Sequence, residues 1–146
     1  MSVRHSAVLA GMAVVAAMVL YASAQEPKKE VKHEAAPITS AASGKEMFTS
    51  YCASCHGKDG KGDGPAASSL KSAPADLTTL AKRNGGKYPS DRVASVLRGQ
   101  ASLAPHGDQE MPVWGPVFWK MSQGHEVEVH QRVSNLNHYI ESLQAK

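Results

Sequence analysis

Apolar positions recur at helical spacing near both ends of the chain beyond residue 40. Gly44, Phe48, Tyr51 and Cys55 fall at intervals of four, three and four, which is one face of a helix. Ser43, with Glu46 three residues on, has the pattern of a capping box at its start. Val129, Val133, Leu136, Ile140 and Leu143 draw a second stripe, with Tyr139 beside it. Two amphipathic helices with complementary faces bury them against each other. Gly44 would let the partner backbone approach closely, which explains a helix-weakening residue there. Both stripes are too short to sustain a coiled coil between chains.

Between these ends the pattern is weaker. Ser90 is placed to cap a helix over residues 91–98, stopped by Gly99, with Val93, Val96 and Leu97 facing inward. A less regular helix is expected over residues 77–83, ahead of "NGG", and a short helical turn within residues 114–121. No alternating run is long enough to make a strand. The expected fold class is all-α.

The N-terminus is of a different kind. Arg4 provides a positive start, residues 7–20 an apolar run, and "ASA" before Gln25 small residues at a cleavage point, the pattern of a secretory signal peptide over residues 1–24. An uncleaved anchor is the rival, although fourteen apolar residues fall short of the roughly 20 that span a bilayer. On either reading, the chain beyond residue 24 lies outside the cytoplasm, in the periplasm. Residues 25–39 mix charges and prolines with almost no large apolar residue, the composition of a flexible linker. The globular domain then occupies residues 40–146.

Size and charge narrow the function classes. The chain's 146 residues leave room for one domain behind a leader. A formal charge of +3 is too small to suggest nucleic acid as a partner. Aromatic residues make up only 5% of the chain, so its core is thin. A bound cofactor that supplies apolar bulk would fill it, and the chain without that cofactor is expected to be largely unfolded.

Chemistry concentrates in "FTSYCASCHGKDGKGDG", which holds both cysteines and a histidine within five residues. A thioredoxin-like dithiol needs a helix N-terminus after the motif, whereas here the helical pattern precedes Cys52 and Cys55 and a glycine-rich loop comes after them. A structural zinc site wants four ligands, and no histidine pair repeats the spacing of a zinc finger. C-x-x-C-H is the remaining reading, the covalent attachment site of a c-type haem. Cysteines three apart present both sulfurs to one side, and His56 then lies under the iron as proximal ligand. Attachment outside the cytoplasm agrees with the leader.

Function then turns on the sixth iron position. An open site favours ligand binding or peroxidase-type chemistry, and a second protein ligand favours electron transfer. Beyond the leader the methionines are Met47, Met111 and Met121. Met47 shares the helix of Cys52 and reads as core, and Met121 lies in an apolar stretch that also suits packing. Met111, in "HGDQEMPVWGPVFW", sits in a loop constrained by prolines and glycines, a setting that suits a sulfur aimed at a metal. An apolar loop plug is its other reading, and His106 is a rival ligand.

The "CASCHG" motif, the loop "KDGKGDGPAASSLKSAPADLT" and "HGDQEMPVWGPVFW" together resemble a class I cytochrome c of a bacterial envelope. The resemblance covers residue 40 to the end. It implies a small helical fold whose first and last helices cross, Gly44 and Phe48 lying against Leu136 and Tyr139. It also implies one covalent haem c, with Cys52 and Cys55 as thioether anchors and His56 and Met111 as axial ligands. A proline carbonyl is expected on the other ring nitrogen of His56, with Pro65 and Pro74 as candidates. Trp114 and Trp119 are expected to wall the haem pocket. The resulting expectation is an electron carrier, not an enzyme, that exchanges single electrons with redox partner proteins. A basic stretch of Lys58, Lys61, Lys71, Lys82, Arg83 and Lys87 either steers an acidic partner or is simply a solvated surface. The alternatives are a haem-bearing subunit of a larger oxidoreductase and a sensor or peroxidase-type protein with an open iron.

Overall fold

The computed structural model describes residues 36–101 and 111–145. The expected leader, residues 25–35 of the expected linker and His106 lie outside them. Every regular element among the described residues is helical.

Helix α1, Gly44–Met47, starts where expected: the Ser43 hydroxyl accepts from the Glu46 N–H at 3.2 Å. The reciprocal half of the capping box is displaced. The Glu46 carboxylate accepts from the N–H of Ser40 instead, at 3.4 Å. A π-helical turn, Phe48–Cys52, comes next and leads into α2, Ala53–His56. Its wider turn, in which the Ala53 N–H reaches back to the Phe48 carbonyl, inserts one residue and rotates the rest of the helix by about 100°. The regular spacing Gly44, Phe48, Tyr51, Cys55 therefore does not continue as one face. Met47, Phe48, Tyr51 and Cys52 are buried, whereas Cys55 is half-exposed.

A 3₁₀ turn at Leu77–Thr79 runs into α3, Leu80–Arg83. Helix α4, Ser90–Arg98, ends at Gly99 in the left-handed conformation (φ 75°) that glycine adopts without strain. Its start corrects the expected cap. Pro89 occupies the N-cap position and its carbonyl accepts from Val93, so Ser90 is already helical. The Ser90 hydroxyl instead accepts from the Asn137 amide at 2.9 Å. Leu97 reaches the core and Val93 and Ala94 pack against it, while Val96 is only half-buried. Helix α5, Trp114–Met121, tolerates Pro116 because its missing N–H falls in the first turn.

Helix α6, Glu126–Ser142, closes the fold. Val133, Leu136 and Ile140 are almost wholly buried, as the stripe requires. It crosses α1 at Gly44, where any side chain would meet the Asn135 carbonyl, and the Phe48 ring lies 5.2 Å from that of Tyr139. The same helix carries two buried polar residues. Asn137 accepts from the Tyr88 hydroxyl and donates to Ser90, joining α6 to α4. Arg132, only 3% exposed, donates to Thr39, Ser122 and Glu128, binding residues ahead of α1 and the α5–α6 turn to α6.

Candidate functional site

The last turn of α2 holds Cys55 and His56, and the glycine-rich loop after it wraps back over that turn. Gly57 ends the helix at φ 77°. Backbone N–H groups of Gly62, Gly64 and Ala66 then donate to the carbonyls of His56, Cys55 and Ser54 at 2.8, 3.1 and 2.8 Å. A helix C-terminus leaves such carbonyls unpaired, so the loop completes the helix that presents the motif. Gly64 lies too close to the Ala53 and Ser54 backbone to bear a side chain. Gly62 and Gly64 of "HGKDGKGDG" thus serve close backbone contact, whereas Gly57 and Gly60 serve positive-φ turns.

His56 is half-buried, and its Nδ1 lies 2.9 Å from the Ala75 carbonyl oxygen. A carbonyl only accepts, so Nδ1 carries the proton and Nε2 keeps its lone pair. This corrects the expected acceptor, which is neither Pro65 nor Pro74. The Pro74 carbonyl is turned toward Gly62, filling the space where a side chain there would go. The next carbonyl along, that of Ala75, reaches the imidazole. Burial holds the His56 pKa below the ordinary imidazole value, opposed by the bond to Ala75.

Cys52 and Cys55 are both free thiols, Cys52 buried and Cys55 half-exposed. Burial, with a smaller contribution from neighbouring Cys55, pushes the Cys52 thiol up to about 12. A buried thiol of this kind is not an activated nucleophile.

Met111 lies three residues before α5, half-buried and packed against the core that contains Cys52. What joins the two is aromatic. The Tyr51 ring stacks on Trp114 with centroids 5.0 Å apart, and Trp114 stacks in turn on Phe118 at 5.9 Å. The structure therefore gathers Cys52, Cys55 and His56 on one helical turn and seats the Met111 segment on the same core. Met47 is fully buried, as expected of a core methionine. Met121 places its sulfur 3.5 Å from the Tyr51 hydroxyl. Trp119 is 52% exposed, and its ring edge lies over Gly124.

The cytochrome c family model matches residues 41–144. The chain belongs to the cytochrome c family. Comparison with curated proteins and with solved structures gave no match. Membership brings a covalently bound haem c with iron and a role in electron transfer between redox partners. The residues present fit that group. Two unpaired thiols three apart suit thioether attachment, and a histidine with Nδ1 committed to a backbone carbonyl offers Nε2 to a metal. Four contributors were not anticipated in the sequence: Ala75, Arg132, Asn137 and the hydroxyl of Tyr51. Arg132 and Asn137 left a trace, since each falls one position off the apolar stripe of α6.

Proposed function

We propose that this cytochrome is a monohaem electron carrier of the periplasm, with Cys52 and Cys55 as thioether anchors and His56 and Met111 as axial ligands. When bound, the haem supplies a one-electron iron couple. The observation that carries the reading is the His56–Ala75 hydrogen bond at 2.9 Å, which fixes the imidazole tautomer and ring plane. A carbonyl on Nδ1 also makes Nε2 a stronger donor. Met111, on a segment stiffened by Pro112, is the sulfur available for the opposite side. With His56 and Met111 both holding the iron, ligand exchange during electron transfer would be limited. A methionine in the pair raises the potential.

The leader supports export, and a domain behind the polar, proline-bearing stretch ahead of residue 36 suits a protein that meets separate donor and acceptor proteins. The test is the optical spectrum of the exported protein. Ferric haem with a sulfur ligand shows a weak far-red charge-transfer band, expected in the native protein and lost in Met111→Ala, with a lowered potential. Haem attachment without that band would assign the sixth position to another group.

A further inference from the structure

Tyr51 immediately precedes the first cysteine, and its hydroxyl is the hub of a buried polar chain. Its oxygen lies 2.6 Å from the Pro37 carbonyl and 2.7 Å from the Thr39 hydroxyl. The Arg132 guanidinium donates to both oxygens of Thr39, at 2.9 Å to the carbonyl and 3.3 Å to the hydroxyl. The proton order is set by what each group can do. A carbonyl only accepts, so the Tyr51 proton goes to Pro37. Arg132 only donates, so the Thr39 hydroxyl accepts from it and gives its own proton to Tyr51. Such a chain, headed by a buried cation, is mutually polarised and strongest when complete.

The ring of Tyr51 is in turn the surface on which Trp114 stacks. Trp114 opens α5, and only Pro112 and Val113 separate it from Met111. That segment is held from the other side as well. Val113 packs over Gly99, and Gly115 lies against the Arg98 backbone. The approach to α5 is therefore gripped between the end of α4 and the Tyr51 ring. A ring held by stacking alone can slide, whereas the hydroxyl chain fixes this one in place.

We infer that Tyr51 is a positioning residue for the sixth ligand, and that residues 37–39 serve as a strap that locks it. This rests on the reading of Met111 as that ligand. The strap falls within the stretch that composition assigns to the flexible linker, so the part of the linker nearest the domain belongs functionally to the redox site.

The experiment uses the full-length ferric holoprotein and imidazole as competing ligand, whose apparent affinity reports how readily Met111 leaves the iron. Tyr51→Phe removes the hydroxyl and keeps the ring, and Thr39→Val breaks the chain isosterically. Each is expected to raise imidazole affinity about tenfold. The double variant should show little further gain, because both break one chain. Tyr88→Phe, which severs the bond from a residue ahead of α4 to Asn137 on α6, serves as the control: it should lower unfolding stability without changing imidazole affinity. Unchanged affinity in Thr39→Val, or an equal rise in Tyr88→Phe, overturns the positioning role while the sulfur band still upholds Met111. Absence of that band from the unmutated protein overturns both.

Discussion

The backbone of Gly44 lies against the backbone carbonyl of Asn135, with no room between them for a methyl group. A Cβ on Gly44 would overlap that oxygen and stand 2.9 Å from the Cβ of Tyr139. The gap is closed by backbone, which cannot rotate away as a side chain can. Gly44→Ala must therefore push α1 from α6 and strain the Phe48–Tyr139 contact. The expected loss is about 1–3 kcal/mol in urea unfolding of the holoprotein, despite alanine's better helix propensity. A stabilised alanine variant would show that the crossing is loose.

That crossing was legible in the sequence because glycine and the apolar stripe each carry a local signal: one marks close approach, the other a period of 3.6. The C-x-x-C-H motif was equally legible, since its chemistry is compressed into five consecutive residues. What the sequence concealed is tertiary. Nothing local distinguishes Ala75 from Pro74 as the partner of His56; the choice depends on how the loop through Gly62 returns. The π turn at Phe48–Cys52 has no mark in a pattern that continues at α-helical spacing. Thr39 lies in a polar stretch and reads as linker, yet it is only 6% exposed beneath Arg132.

Arg132 and Glu128 form an uneven pair. Their side chains are 3% and 37% exposed, and they meet at 2.8 Å one helical turn apart. Glu128→Gln keeps an acceptor but leaves a buried cation with its counter-charge gone. Arg132→Met leaves a carboxylate that water can reach. The first is expected to cost about 2–3 kcal/mol and the second about 1–2, reversing the order that exposure alone suggests. Urea titrations of the two variants decide it. A larger loss for Arg132→Met would mean that its bonds to Thr39 and Ser122 outweigh the charge pairing.

Asp76 caps the 3₁₀ turn before α3, accepting from the Thr78 hydroxyl at 2.6 Å and its N–H at 2.8 Å. The hydroxyl bond foremost, then the N–H and the charges of Arg83 and Lys61, hold its carboxyl below the usual range against a desolvation that raises it. A depressed folded-state pKa means that the unfolded chain takes up the proton first as pH falls. The stabilisation is therefore complete above the ordinary aspartate value of about 3.9 and is lost as pH falls through the lower folded value. Asp76→Asn keeps an acceptor oxygen without the charge. Its stability deficit against the native protein should be constant from pH 7 to about 5 and shrink below about 4. A deficit unchanged at pH 3 would show that the carboxylate charge contributes nothing.

The distribution of burial predicts what removal of haem does. The fully enclosed apolar residues belong almost entirely to α1, the π turn, α5 and α6, with Phe48, Trp114, Phe118 and Leu136 at their centre. Helix α3 contributes no buried residue and α4 only Leu97. Leu80, Val93 and Met111 remain half-covered. Among the described residues, α3 and α4 thus bury little apolar surface against the cost of ordering their backbone, about 1–2 kcal/mol per residue. A haem buried against these elements would supply the missing apolar surface, so a chain made without it should shift toward unfolding. A Cys52→Ser, Cys55→Ser chain produced without haem is expected to show weak far-UV helical dichroism, a flat near-UV spectrum and a broad, sloping thermal transition. A sharp transition with native near-UV signals would mean that the aromatic contacts of Tyr51, Trp114 and Phe118 suffice to hold the fold without its cofactor.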